Sequence, residues 1–178
     1  EGGTHADGLT QNALIAFEDG SYLELIAFVD APPSEHPFYR EHGNRGLVTF
    51  ALLPENIERD VALIRKRGLP YSAPETGGRH RPDGVQLQWQ TSWPPARDLP
   101  FLCADVTSRD LRVPFGPARL HSNGVVGVAG VTILVHNLGS SQATYAALLG
   151  VEPLPHGPYR NMHTASFQLG STLLTLVQ

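Results

Sequence analysis

The stretch "NALIAFEDGSYLELIAF", residues 12–28, decides the fold, because the chain writes it again as "MHTASFQLGSTLLTLVQ", residues 162–178. In this alignment Phe17 meets Phe167, Gly20 meets Gly170, Ser21 meets Ser171 and Leu23 meets Leu173. Self-similarity at a fixed offset marks repeated supersecondary units. Each copy predicts a hairpin that turns at its Gly-Ser pair into a closing strand. In the first copy that strand sets Tyr22, Glu24, Ile26 and Phe28 on one face and Leu23, Leu25, Ala27 and Val29 on the other. Both faces are apolar, so the strand is expected to be covered on both sides. A carboxylate at its centre is then costly unless it is hydrogen-bonded, paired with an arginine or bound to a metal. The second copy manages with Leu174 at the same place, so the hairpin does not demand Glu24. That comparison moves Glu24 from a structural role toward a site.

Working outward, apolar runs at 47–53, 84–89, 99–106, 131–135, 163–169 and 172–177 predict further strands. Two stretches predict helices. In "PENIERDVALIRKRG" (54–68), Ile57, Val61 and Ile64 share a face, Pro54 suits the first turn and Gly68 ends it. In "GSSQATYAALLG" (139–150), Ser140 or Ser141 can cap, Tyr145 and Leu148 or Leu149 face inward, and Gly150 terminates. Strand, helix, then two or three strands recurs, which is an α+β order of repeated βαβββ units. The units divide as 1–30, a linker 31–46, a middle unit 47–113, a linker 114–130 and a last unit 131–178. In that register the first unit lacks its opening strand and helix. The intact protein, or another chain in a homodimer, is expected to supply them, since an open sheet edge invites aggregation.

The bulk numbers bound the function. The chain has 178 residues, with 41% hydrophobic and 17% charged, a net charge of −4 and a pI near 6. This balance does not favour nucleic acid or an anionic membrane surface as partner. No apolar run spans a bilayer and no signal peptide opens the chain. The lone Cys103 excludes an internal disulfide framework and fits a reducing, cytoplasmic setting. It lies in an apolar run and is expected as a small buried hydrophobe rather than a nucleophile. No phosphate-binding glycine loop or serine nucleophile elbow is present.

The segments "GGTHADGLTQNALIAFEDGSYLELIAF" (2–28), "GRHRPDGVQLQW" (78–89) and "HSNGVVGVAGVTILV" (121–135) resemble the glyoxalase-like domain branch of the vicinal oxygen chelate superfamily. That superfamily includes glyoxalase I, extradiol dioxygenases and bleomycin-resistance proteins. The resemblance implies curved sheets forming a cup. It also implies a divalent metal (Zn, Ni, Mn or Fe) held by a His or Gln of an opening strand and a Glu of a closing strand in each of two paired units. Glu24 matches the closing-strand ligand of the first unit, whereas Gly130 and Leu174 stand where the last unit would supply its own.

Glu24 is therefore the expected catalytic and metal-binding residue, with His163 as the spare ligand, since alternation along its strand can turn it toward the cup. Tyr22 and Asn12 are expected to line the cup with Glu24. Arg79 and Arg81, on a loop constrained by Gly77, Gly78 and the Pro82-Asp83-Gly84 turn, offer guanidiniums to a carboxylate or phosphate. The alternative is a basic hairpin tip, with Arg81 paired to Asp83. His121 is a cleft or a turn residue, and His5, His36 and His42 are expected at the surface. Trp89 is expected in the core and Trp93 on the rim. Two functions fit the resemblance: a lyase, isomerase or dioxygenase acting on a small oxygenated metabolite, or a protein that sequesters a small molecule without chemistry.

Overall fold

The computed structural model describes residues 2–5, 8–31, 46–81, 83–155 and 162–178. His36, His42, His156 and Pro82 lie outside these residues. The hairpin that opened the sequence reading is present as β2 (Thr10–Ala16) and β3 (Tyr22–Phe28), with β1 (Gly2–Thr4) antiparallel beside β2. A four-stranded sheet follows, built from β4 (Ala51–Leu52), β5 (Glu75–His80), β6 (Gln86–Ser92) and β7 (Phe101–Asp105) in the order β4-β7-β6-β5. Its helix α1 (Ile57–Lys66) connects β4 to β5. Beyond β7 come a short helix α2 (Arg109–Arg112) and a single 3-10 turn, Gly116–Arg119. The last sheet has β8 (Gly130–Leu134), β9 (Thr164–Leu169) and β10 (Thr172–Val177) in the order β8-β10-β9, with helix α3 (Leu138–Leu149) after β8.

The three sheets are versions of one unit. β4 pairs parallel with the closing strand β7, and β8 pairs parallel with the closing strand β10. The other pairings are antiparallel. A parallel neighbour needs a crossover, which α1 and α3 provide. Among the described residues no strand pairs with the outer edge of β3, the position that β4 and β8 hold in the other units. The fold is α+β, with repeated mixed sheets and helices packed on them. Among the described residues no helix is long and apolar enough to cross a membrane.

The helices start where side chains satisfy their free amides. Asn56 caps α1 by accepting from Arg59 N, and Asn137 caps α3 by accepting from Ser140 N. Both caps differ from the expected Pro54 start and serine cap, because Asn holds the extended cap conformation and reaches the third amide. Gly150 ends α3 at a φ of 70°, as its sequence position suggested. Ile57, Val61 and Ile64 of α1 pack with Tyr145 and Leu148 of α3 and with Phe167, Leu174 and Leu176 of the last sheet. The core thus lies between the middle and last units.

Two strands escaped the sequence reading. β1 is short and glycine-rich, and β5 carries Gly77 and Gly78, which read as a turn. A Cβ on Gly77 would lie 2.7 Å from the Trp89 indole nitrogen, so glycine is what lets β5 sit against the tryptophan side chain. The turn itself is shorter than expected, closed by Arg81 N to Val85 O and Gly84 N to Arg81 O. Leu87 is fully buried and Trp89 half-buried, while Trp93 is exposed and stacks on Phe101 at 4.6 Å.

The repeated hairpins share their glycines but not their register. Ala16 pairs with Tyr22 across a loop held open by Asp19, whose Oδ1 accepts from Ser21 N and Oγ. Leu169 instead pairs with Thr172 across a tight Gly170-Ser171 turn. Close superposition therefore ends at the turn. Nor is β3 covered on both faces: Leu23 is 45% and Leu25 57% exposed, and on the other face Ile26 is exposed as well. On that face Glu24 keeps 29% of its side chain in contact with solvent. A bare carboxylate there has water to turn to, so its cost to folding is small.

These environments predict unequal effects at the paired positions. Leu174→Ala removes a fully buried side chain and should cost about 2–5 kcal/mol. Glu24→Leu should change stability by about 0.5 kcal/mol or less, as surface changes do. Urea unfolding midpoints of the two variants check this, and a large loss for Glu24→Leu would show that Glu24 is structural.

Candidate functional site

Glu24 sits on β3 opposite Leu14 and diagonal to Asn12, on the even-numbered face of the hairpin. Asn12 Nδ2 donates to Glu24 Oε1 at 2.7 Å, and Asn12 Oδ1 accepts from Gly3 N at 3.1 Å. The second proton of Asn12 Nδ2 faces His5 Nε2 at 3.4 Å, and His5 Nδ1 lies 2.7 Å from Thr10 Oγ1. This arrangement assigns the ring proton to Nδ1, donating to Thr10, and leaves the Nε2 lone pair 3.8 Å from Glu24 Oε1. Asn12 therefore bridges two bases. Among the described residues Glu24 Oε2 has no hydrogen-bond partner.

His5 was expected at the surface. It is half-buried instead, because β1 pairs with β2 and His5 N donates to Thr10 O, which returns the chain over the hairpin. A three-residue glycine-rich strand gives too weak a periodicity to reveal this placement.

Tyr22 shares the face of Glu24, and its hydroxyl accepts from Arg112 Nη1 at 2.9 Å. Arg112 Nε and Arg109 Nη1 donate to the two oxygens of Asp105, at 2.6 and 2.9 Å. Both guanidiniums also lie over the Tyr22 ring, 5.5 and 5.6 Å from its centre. Burial pushes the Tyr22 hydroxyl above its usual pKa, and Arg112 opposes that shift. Burial alone would raise Asp105 too, but Arg112 and then Arg109 outweigh it and hold the carboxyl below its ordinary value. Cys103, on the same face of β7 as Asp105, is raised by burial, with Arg112 lowering it and Asp105 and Glu24 adding to the rise.

Arg79 and Leu87 face one another across β5 and β6, as do Gly77 and Trp89, and Trp89 pairs in turn with Asp105. Alternation therefore puts Arg79 on the same side of the middle sheet as Asp105 and Cys103. Arg79 is only 6% exposed and donates to Gly2 O at 3.2 Å. It lies on a strand rather than on the expected loop. A cleft of about 780 Å³ opens between β1 and β5, lined by His5, Arg79, His80 and Arg81 among others.

The remaining candidates sit apart. Arg81 is held by Asp83 at 2.7 Å and by Leu111 O, which is the hairpin-tip pairing. His121 Nε2 contacts Ala16 O at 2.8 Å and its ring packs on Phe17, so it fastens the first hairpin rather than reaching Glu24. His163 is exposed just before β9, in the sheet of the last unit, and its carbonyl accepts from Gln178 N. The unit facing the first hairpin is the middle one. Asp105, Arg109 and Arg112, which the sequence reading passed over, are what complete the cup.

The donor set was tested against the metal that the fold suggests. Around Glu24 the described residues offer its carboxylate and His5 Nε2, while Asn12 Oδ1 is occupied by Gly3 N. No group of three His, Cys, Asp or Glu side chains able to hold a metal occurs among the described residues. Catalytic zinc sites take three protein ligands. The residues present do not fit such a site.

The lowered Asp105 pKa has a consequence for stability. Above the unfolded value, near pH 4, Asp105 contributes its full stabilisation, which disappears as the pH falls through the lower folded value. Urea titrations from about pH 7 to pH 2 should show the gap between wild type and Asp105→Asn shrinking only at the acid end. A gap that stays constant to the lowest pH would contradict the buried pairing.

Comparison with known proteins gives the family and the fold. The family described as "Glyoxalase-like domain" matches residues 1–149. No curated protein matches the sequence. A solved hypothetical protein from Staphylococcus aureus is similar in fold, with a TM-score of 0.76 and 14% identity, covering 98% of this chain and 75% of that one. A second solved protein, SMU.1112c, has a TM-score of 0.36 and 14% identity, covering 75% of this chain and 98% of its own, and carries no argument. The match over most of the chain and the repeated mixed sheets lead to one conclusion: the chain belongs to the glyoxalase-like domain family of the vicinal oxygen chelate superfamily.

Proposed function

We propose that this chain is a small-molecule enzyme of the lyase or isomerase type, moving a proton on a metabolite with adjacent oxygens in the cup between its first and middle units. The observation that carries this reading is the Glu24–Asn12–His5 cluster. Glu24 Oε1 is fixed by Asn12, while Oε2 is without a partner among the described residues and the side chain keeps access to solvent. A carboxylate so placed takes a proton from a carbon next to a carbonyl, and the developing enolate oxygen needs a nearby donor. Glu24, once protonated, can return that proton at the neighbouring carbon while the hydroxyl proton of the enediol exchanges with solvent, and His5 Nε2 holds Asn12 in place. Asn12 keeps the two bases in register, and Thr10 fixes the imidazole tautomer. Tyr22 is anchored by Arg112 and serves as a wall of the site.

A second reading is supported by the size of the cleft and by the short donor set: a protein that sequesters its ligand, as the bleomycin-resistance relatives of the superfamily do. Proton exchange separates the two. Wild-type protein incubated in D₂O with α-hydroxyketones and α-ketoaldehydes should exchange the C–H next to the carbonyl, followed by proton NMR. Glu24→Gln keeps the shape and should slow that exchange by about 10²–10⁴-fold, the usual contribution of a positioned base. Ligand-induced rise in melting temperature without exchange by the wild type would favour sequestration.

A further inference from the structure

We infer that the cleft between β1 and β5 takes an oxyanion, the carboxylate or phosphate of the ligand, on the guanidinium of Arg79. This rests on the proposed reading of the Glu24 cluster as a substrate site, which the cleft adjoins through His5, and names the class of molecule received there. Three observations carry it. First, Arg79 is 94% buried by its 6% exposure, yet among the described residues no carboxylate lies within ion-pair distance of it. The other guanidiniums around the cup each touch a carboxylate, Arg81 that of Asp83, and Arg109 and Arg112 together that of Asp105. A buried cation whose partner is a neutral carbonyl, here Gly2 O, lacks a compensating charge, and such a group ordinarily finds an anion.

Second, the cleft wall holds His5, Arg79, His80 and Arg81 and, among the described residues, no Asp or Glu. Its lining is of one sign, which raises the local concentration of anions. Third, the backbone has been cleared for the guanidinium. A Cβ on Gly3 would come within 2.7 Å of Arg79 Nη1, so glycine allows Arg79 to lie flat against β1, with Gly2 O accepting one proton. The fork keeps further donors for a bidentate contact. Burial, followed by Arg112 and Arg81, lowers the Arg79 pKa, which is the electrostatic pressure that a bound anion would relieve.

The position also links to the chemistry. Gly3, against which Arg79 rests, donates its amide to Asn12, and Asn12 holds Glu24. An anionic group on Arg79 would thus place the next carbons of a short metabolite toward the Glu24–His5 pair.

The test compares glycolate and inorganic phosphate with glycolamide, the neutral counterpart of glycolate, by calorimetric titration of the intact chain. The wild type should bind at least one of the anions about tenfold or more tightly than glycolamide, the range of a hydrogen bond to a charged group. The tighter of the two anions identifies the group. Arg79→Met should abolish the preference, and Arg79→Lys, which keeps the charge but not the fork, should retain part of it in a protein that folds. Glu24→Gln should keep the anion preference while losing proton exchange. Equal wild-type affinity for glycolate, phosphate and glycolamide would overturn the assignment, as would undiminished anion binding by a folded Arg79→Met. Anion binding without proton exchange on any compound leaves the Arg79 assignment standing and removes the catalytic reading. Exchange on neutral ketones without any anion preference does the reverse.

Discussion

The half-buried carboxylate of Asp105 is the joint on which the site depends. It lies on the closing strand of the middle sheet and accepts from both Arg109 and Arg112. Those two residues reach in turn to Gly20 O and to the Tyr22 hydroxyl on the first hairpin. One carboxylate therefore orients two guanidiniums, and the guanidiniums fasten a hairpin that makes no ladder with the middle sheet. The neighbouring loop adds His121 on Ala16 O and the Ser21 hydroxyl on Val128 N. A joint of charged groups is directional in a way that an apolar contact is not. It fixes which face of the hairpin looks at the middle sheet, and with it where Glu24 points.

Much of the architecture was legible. The helical periodicity of 57–64, the Gly150 stop and the repeated hairpin each rest on local chemistry that the sequence shows directly. The elements that were missed are those whose reason lies elsewhere in the molecule. β5 exists because Trp89 covers Gly77, and β1 exists because β2 offers it a partner. Within the site, Glu24, Asn12 and Tyr22 were found together because strand alternation is a strict rule. His5 was not found, since its place is set by a strand too short to leave a pattern. His163 and His121 were candidates by position alone, and the structure gives each another contact. The Asp105–Arg112 joint carries no motif: its partners are distant only from Tyr22, and nothing in the spacing says that a tyrosine from the first unit meets them.

The paired hairpins explain how one unit can serve as core and as site. In the last unit β10 turns Leu174 and Leu176 onto α1 and α3, and the face is dry. In the first unit the equivalent strand leaves Glu24 partly exposed and bonded to Asn12. The difference begins at the turn. Asp19 opens the first loop by binding Ser21, while the second copy closes with a two-residue turn and Gln168 bonded to Gly170 O and Thr172 O. The resulting shift in pairing sets Glu24 across from Leu14 but Leu174 across from Phe167. A residue that would be ruinous at Leu174 is thus tolerated at Glu24, without any need for a compensating partner in the core.

Charge is divided unevenly around the cup. Asp105 engages two guanidiniums and Asp83 a third, so these cations are tied to carboxylates and hold structure. Arg79 and Glu24 are left, near enough for the Glu24 charge to act on Arg79, with no ion pair between them among the described residues. Had the two collapsed into a salt bridge, neither would be available to a ligand. Asn12 prevents this on one side by engaging Glu24, and Gly2 O does so on the other by engaging Arg79. Both restraints come from the β1–β2 pairing, so the short first strand keeps a cation and a carboxylate apart across a cleft. Under the proposed reading, these two opposite charges define an axis for a small polar molecule, with its electron-rich end toward Arg79 and its acidic C–H toward Glu24.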